Sequence, residues 1–156
     1  MTLIRIAAGT ALLFSVGLSG CTTAGIDTTE TTAIAAQPAV PGEADLASGK
    51  AQFRQANYGL AEQHFRKAIE LNANSAEAWM GLAASYDQLG RFDFADRAYE
   101  QLLKVAGRKP EIVNNMGYSQ YLRGNNKKAR KLLDEARRGM ADTTLVDANL
   151  KLVAKG

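Results

Sequence analysis

From Gly42 onward, apolar residues recur at helical spacing, and the recurrence itself repeats every 34 residues. Ala61, Ala95 and Ala129 share one register; so do Phe65, Tyr99 and Leu133, then Ala68, Leu102 and Ala136, and also Gly49, Ala83 and Gly117. A period of this length with coinciding columns predicts a stacked array of helical hairpins. The middle segment is the clearest. Ala76, Trp79, Met80, Ala83, Tyr86 and Leu89 fall near one helix face, Gly90 interrupts, and Phe92, Ala95, Ala98, Tyr99, Leu102 and Val105 form a second apolar stripe. Small residues in the Gly/Ala columns let two helices approach closely, and the large columns fill the space between successive hairpins.

The pattern divides the chain into units 42–75, 76–109 and 110–143, with Thr144 to Ala154 as a C-terminal cap. The predicted fold class is therefore all-α: a solenoid of three helical hairpins plus a capping helix. Each unit buries its apolar face only against its neighbours, so the open end needs a lid, and Leu145, Val146, Leu150, Leu152 and Val153 supply an amphipathic one. Asn74 is placed to cap the helix that follows, with Glu77 as its capping-box partner. Pro110 suits the first turn of a helix, where its missing N–H is harmless. Gly90 and Gly124 mark helix-to-helix turns.

Ahead of the array the composition changes. Arg5 precedes a 15-residue apolar run, Ile6 to Gly20, which is short of the ~20 residues that span a bilayer and reads as an export signal over residues 1–20. Residues Thr22 to Pro41 are rich in Thr, Ala and Pro, show no helical period, and read as a flexible tether within the linker segment 21–41. The run ends in Leu18-Ser19-Gly20-Cys21, which resembles the lipobox of bacterial lipoproteins; the alternative is an ordinary secretory signal with an incidental cysteine. Cys21 is the one cysteine in the chain, which excludes an internal disulfide. The resemblance implies acylation of Cys21 and anchorage by more than one acyl chain. Thr22 stands where aspartate would signal inner-membrane retention, so it implies an outer-membrane lipoprotein facing the periplasm of a bacterial cell envelope.

The middle unit carries Trp79, Leu82, Ala83, Tyr86, Ala95 and Tyr99, and in this it resembles the tetratricopeptide repeat (TPR). The resemblance covers Gly42 to Thr143. Unit one departs from it with Asp45 in place of the usual Trp, and Ala73 and Gly107 replace the closing Pro. With the lipobox, the runs Asn114-Asn115-Met116-Gly117-Tyr118-Ser119 and Leu122-Arg123-Gly124 are similar to TadD-like lipoproteins of Flp/Tad pilus assembly. That likeness implies a periplasmic scaffold helping to assemble an envelope machine, with an outer-membrane secretin or a wall-associated protein as partner. An adaptor or regulatory subunit for a cell-wall enzyme is the alternative.

In such repeats the first helix of each hairpin lines a concave groove that holds a protein or peptide. Carried onto this register, the groove positions are Leu46, Lys50, Phe53 and Arg54; Met80, Ala84, Asp87 and Gln88; and Asn114, Tyr118, Tyr121 and Leu122. Intramolecular packing remains the alternative for the apolar ones, Phe53 and Leu122 above all. The whole chain carries +3, yet Arg123 to Arg138 holds seven bases against two acids. Arg123, Lys127, Lys128, Arg130, Lys131, Arg137 and Arg138 form a basic patch that faces an acidic partner, anionic lipid or wall polymer, or else is a solvated outer face. Export makes nucleic acid an unsuitable partner.

Catalytic constellations are missing from the sequence. His64 is the sole histidine, and there is no metal-ligand spacing, phosphate loop or nucleophile elbow. The expectation is a binding protein with no enzyme activity, no metal and no cofactor.

Overall fold

The computed structural model describes residues 40–155. Cys21, the export signal and most of the tether lie outside them. Seven helices follow in order: α1 Glu43–Arg54, α2 Tyr58–Leu71, α3 Ala76–Gln88, α4 Phe92–Ala106, α5 Pro110–Leu122, α6 Asn126–Gly139 and α7 Thr144–Lys155. The fold is an all-α stack of helical hairpins, α1/α2, α3/α4 and α5/α6, followed by α7. The first helices touch one another in series, α1 to α3, α3 to α5 and α5 to α7, whereas α2, α4 and α6 make no mutual contact. That asymmetry curves the stack, with α1, α3, α5 and α7 as the inner layer and α2, α4 and α6 splayed outside.

One backbone device closes all three hairpins. The second residue after each first helix turns left-handed, at Ala56 (φ 59), Gly90 (φ 68) and Gly124 (φ 77). The N–H groups of Asn57, Arg91 and Asn125 then return to the carbonyls of Gln52, Tyr86 and Gln120 at 3.0, 2.8 and 2.8 Å, which satisfies carbonyls the helix end would leave open. Unit one makes this turn with a Cβ, which costs about 1–2 kcal/mol. Ala56→Gly is therefore expected to raise stability by about 0.5–1 kcal/mol, after the extra entropy glycine loses on folding; a urea titration beside the parent reads it, and an unchanged or lower midpoint would count against the strain.

The helix starts differ in one detail from the sequence expectation. Ser75, one residue after Asn74, caps α3, its Oγ accepting from the Ala78 N–H at 3.2 Å. Asn74 lies in the preceding turn, where its backbone N–H donates to Asn72 Oδ1. Pro110 does open α5, with Lys109 at the cap position.

The 34-residue columns form the interior: all nine residues of the Ala61, Phe65 and Ala68 columns are buried, as are Gly49, Ala83 and Gly117. The interior is nonetheless divided. One cluster runs from Ala61 to Ile112, and a second from Val113 to Val153. α2 packs along α3, but α4 meets α5 at only a few points. Gly81 lets the Phe65 ring lie directly against the α3 backbone, where an added Cβ would collide with it; at the equivalent joint a recess of about 280 Å³ lies between α4 and α5, lined by Tyr99, Leu103, Met116 and Ser119 among others. The second joint adds polar contacts to the packing of Ile112 against the first cluster. Arg108 grips Glu135 with two bonds, at 2.8 and 2.9 Å, and Asn115 Nδ2 reaches back to Met80 Sδ at 2.8 Å.

α7 sits where the first helix of a fourth hairpin would stand. Val146 and Val153 are buried and Leu150 packs against the second cluster, while Leu145 (58% exposed) and Leu152 (39%) face outward, contrary to a lid that uses all five. A further contact is polar: buried Asn149 donates to Asn114 Oδ1 at 3.0 Å.

Candidate binding groove

The inner layer carries a recess of about 310 Å³ between α1 and α3. Lys50, Phe53 and Arg54 come from α1; Glu77, Met80, Gly81 and Ala84 from α3; Phe65 from α2 forms the floor. The two glycines that clamp Phe65, Gly49 and Gly81, are what let an aromatic ring of the core reach the groove surface. Phe53 is held edge-on to Tyr58, with ring centroids 5.1 Å apart, and so is both core packing and groove wall. Met80 adds a polarizable, adaptable surface suited to an apolar side chain.

The mouth is charged. Lys50 Nζ and Glu77 Oε1 pair across it at 2.9 Å, both largely exposed. An exposed pair contributes only ~0–1 kcal/mol, so either partner is available to a ligand. Arg54 is exposed beside them. An apolar floor under a rim of opposite charges can seat one apolar side chain of a peptide while the rim meets its charges or backbone amides.

Thus Lys50, Phe53, Arg54 and Met80 come together. Gln88, Tyr118 and Tyr121 do not line this recess; the two tyrosines are half-buried in unit three with ring centroids 5.9 Å apart. Two groove expectations are corrected outright, because Asp87 and Asn114 are buried, at 5% and 1% exposure. Asn114 faces Asn149 of the cap. Asp87 lies inside the second joint, accepting from Ser119 Oγ at 2.7 Å and Tyr99 Oη at 3.0 Å. Burial raises the Asp87 carboxyl above its ordinary range, against the opposing pull of the Ser119 and Tyr99 hydroxyls and of Arg123. Burial, then the neighbouring Asp87, likewise pushes the Tyr99 phenol well up.

The basic patch is corrected at one member. Arg123 belongs to the joint: Nη1 donates to Asp96 Oδ2 at 2.9 Å, Nη2 to Ser119 Oγ at 2.8 Å, its guanidinium lies 4.7 Å from the Phe92 ring centroid, and Asp87 Oδ1 is 3.6 Å away. Arg137 pairs with Asp147 at 2.7 Å. Lys127, Lys128, Arg130, Lys131 and Arg138 stand exposed on α6. His64 contacts Asp45 at 3.2 Å at the edge of unit one, away from the recess. Phe65, Glu77 and Gly81 are the groove residues that the sequence reading missed. A glycine in the middle of a helix is the one signal that pointed to a close approach there.

Two tetratricopeptide repeat family models match the chain, at residues 52–111 and 83–142, and together they run from the end of α1 through α6. Among curated proteins, the cytochrome c-type biogenesis protein CycH of Pseudomonas aeruginosa is 29% identical over 103 residues, 63% of this chain and 25% of CycH. The type IV pilus assembly protein PilF of the same organism is 28% identical over 133 residues, 85% of this chain and 52% of PilF. The chain thus spans a quarter to about half the length of these relatives. The solved P. aeruginosa PilF structure superposes with a TM-score of 0.61, covering 73% of this chain and 52% of that one. The Yersinia enterocolitica type III secretion translocator chaperone SycD, 19% identical, shares the fold with a TM-score of 0.63 over 73% of this chain and 92% of its own.

Proposed function

We propose that this chain, which belongs to the tetratricopeptide repeat family, is a binding scaffold that holds a segment of another protein in the α1–α3 groove during assembly of a cell-envelope machine. The observation that carries the reading is the recess itself: an apolar floor of Phe65, Phe53 and Met80 on the inner face of the stack, with the weakly paired Lys50 and Glu77 at its mouth. The relationship to PilF over 85% of the chain supports pilus assembly as the process served, and an outer-membrane secretin channel is the partner we assign. Cys21 provides the anchor in this reading, through acylation at the lipobox, which would hold the scaffold on the periplasmic face of the outer membrane.

A photo-crosslinking residue placed at position 53 or 84 in the full chain tests this in the native envelope. The expected result is a discrete adduct from both groove positions and none from Gln101 on the outer layer. Cys21→Ser should shift the chain out of the membrane fraction and reduce the adduct with it. Equal adducts from inner and outer positions would overturn the groove assignment, and retention of Cys21→Ser in the outer membrane would overturn the anchor.

A further inference from the structure

The cap helix α7 continues the register of the first helices before it. Its buried Val146 and Val153 stand 34 residues after Ile112 and Ser119, which are buried too. Its Asn149 reaches back to Asn114 as Asn115 reaches back to Met80. Leu145 and Leu152, the cap leucines turned away from the core, therefore hold the positions that Glu77 and Ala84 hold on one wall of the α1–α3 recess. From α5, Tyr118, Tyr121 and Leu122 hold those of Lys50, Phe53 and Arg54 on the opposite wall.

The chemistry of these positions changes along the stack. One column reads Glu43, Glu77, Glu111 and then Leu145; another reads Lys50, Ala84, Tyr118 and then Leu152; Arg54 and Gln88 give way to Leu122. A charged rim at α1–α3 thus becomes an apolar band at α5–α7, with both leucines exposed and the α5 side chains half-buried. These leucines are not the footing of a missing fourth hairpin. Lys151 stands in the Gly49, Ala83 and Gly117 column, where a second helix would pack, and closes the array with a charge. An apolar cluster that folding leaves in water marks a binding surface.

We infer that the α5–α7 band is a second, apolar subsite of the groove, and that one acid-flanked segment of the partner protein spans both subsites. This rests on the reading of the inner face as the binding groove. A second copy of the chain fits poorly. Two exposed leucines and three half-buried side chains, lying on a concave layer, present far less than the ~800 Å² that each partner of a stable dimer buries; a slender segment needs only anchor points. Charge fixes its flanks. Arg54 at the C-terminal end of α1 and Lys155 at that of α7 are exposed, and neither has an ion-pair partner within 4 Å among the described residues. The same lip of the groove is therefore basic at both ends. First helices packed about 8–10 Å apart put the two subsites roughly 16–20 Å apart, a span that about six extended residues bridge.

The test places a photo-crosslinking residue at Ala84 or at Ala148 of the full chain in the native envelope and maps each adduct by mass spectrometry. The expected result is one partner at both positions, joined through residues of a single segment about six apart, with an acid beside the residue captured at Ala148. Leu145→Glu with Leu152→Lys gives α7 the residues that the same columns carry at Glu77 and Lys50. It should lower both adducts about tenfold, because two apolar anchors lose their burial, and it should melt with the parent. The milder pair Leu145→Gln with Leu152→Ala should act in the same direction, and Lys155→Glu should lower the Ala148 adduct through charge. An Ala84 adduct that persists unchanged in the leucine variants, with none from Ala148, overturns the second subsite and leaves the groove reading standing. Absence of any Ala84 adduct in the parent strikes the groove reading, and this inference with it. An Ala148 adduct to a second copy of the chain, or to the chain's own N-terminal residues, overturns the proposal in favour of that occupant.

Discussion

Phe65→Ala is expected to destabilise the array by about 4 kcal/mol, lowering the melting temperature by roughly 15 °C. Phe65 is 2% exposed and has no alternative filler. Its ring occupies the space left by two glycines, Gly49 on α1 and Gly81 on α3, so removing it opens a void bounded by helix backbone on two sides. Backbone cannot collapse into a void as a neighbouring side chain can, which places the cost toward the upper part of the range for large-to-small core changes. The substitution also removes the floor of the groove, so partner capture should fall in the fraction that remains folded. Thermal and urea unfolding monitored by helical signal give the stability loss; a change under 1 kcal/mol would mean that α1 and α3 close over the gap, and that the glycines do not set their separation.

The features legible in the sequence are those where one helical turn suffices to argue. The 34-residue columns place Ala61, Phe65 and Ala68 and their equivalents in the interior because apolar residues at i, i+4 and i+7 have one face to share. Gly90 and Gly124 announce their turns because only glycine takes a positive φ at no steric cost. Ala56 hides the same turn, since an alanine there looks like a helix former. The polar residues were harder to read. Asp87 and Phe53 are equivalent positions, and nothing within α3 shows that the carboxylate turns inward to hydroxyls 12 and 32 residues away. Asn114 hides in the same manner, its partner being Asn149 on the cap. Arg123 sits in a run of bases and reads by composition as one more surface charge, yet Asp96, Ser119 and Phe92 draw it into the joint. The sparse contact between α4 and α5 leaves no mark on the 34-residue columns, which place Phe65 and Tyr99 as equivalents although only Phe65 lies against a helical glycine of the next unit.

That joint gives the second large effect. Arg123→Met is expected to cost about 3 kcal/mol at neutral pH, as breaking a buried ionic contact leaves the remaining charge uncompensated. The charge concerned is Asp87, whose side chain is 3% exposed and whose carboxyl is already raised by burial. Asp96 also faces it and raises it further, while Ser119, Tyr99 and Arg123 oppose. A carboxyl raised in the folded state contributes stability that is fully present below its unfolded value and is lost as pH rises through the folded one. Removing Arg123 lifts the folded value again. The deficit of the variant should therefore be largest at neutral pH and shrink as the medium is acidified. Adding Asp87→Asn should recover part of the loss at neutral pH, since an amide can accept from Tyr99 and donate to Ser119 without carrying charge, and the two substitutions should be non-additive. Urea titrations of parent, single and double variants at neutral and mildly acidic pH decide the matter. A deficit that is constant with pH, together with strict additivity, would show that Arg123 acts through Asp96 and the Phe92 ring alone, and that the buried carboxylate is held by its two hydroxyls without help from the guanidinium.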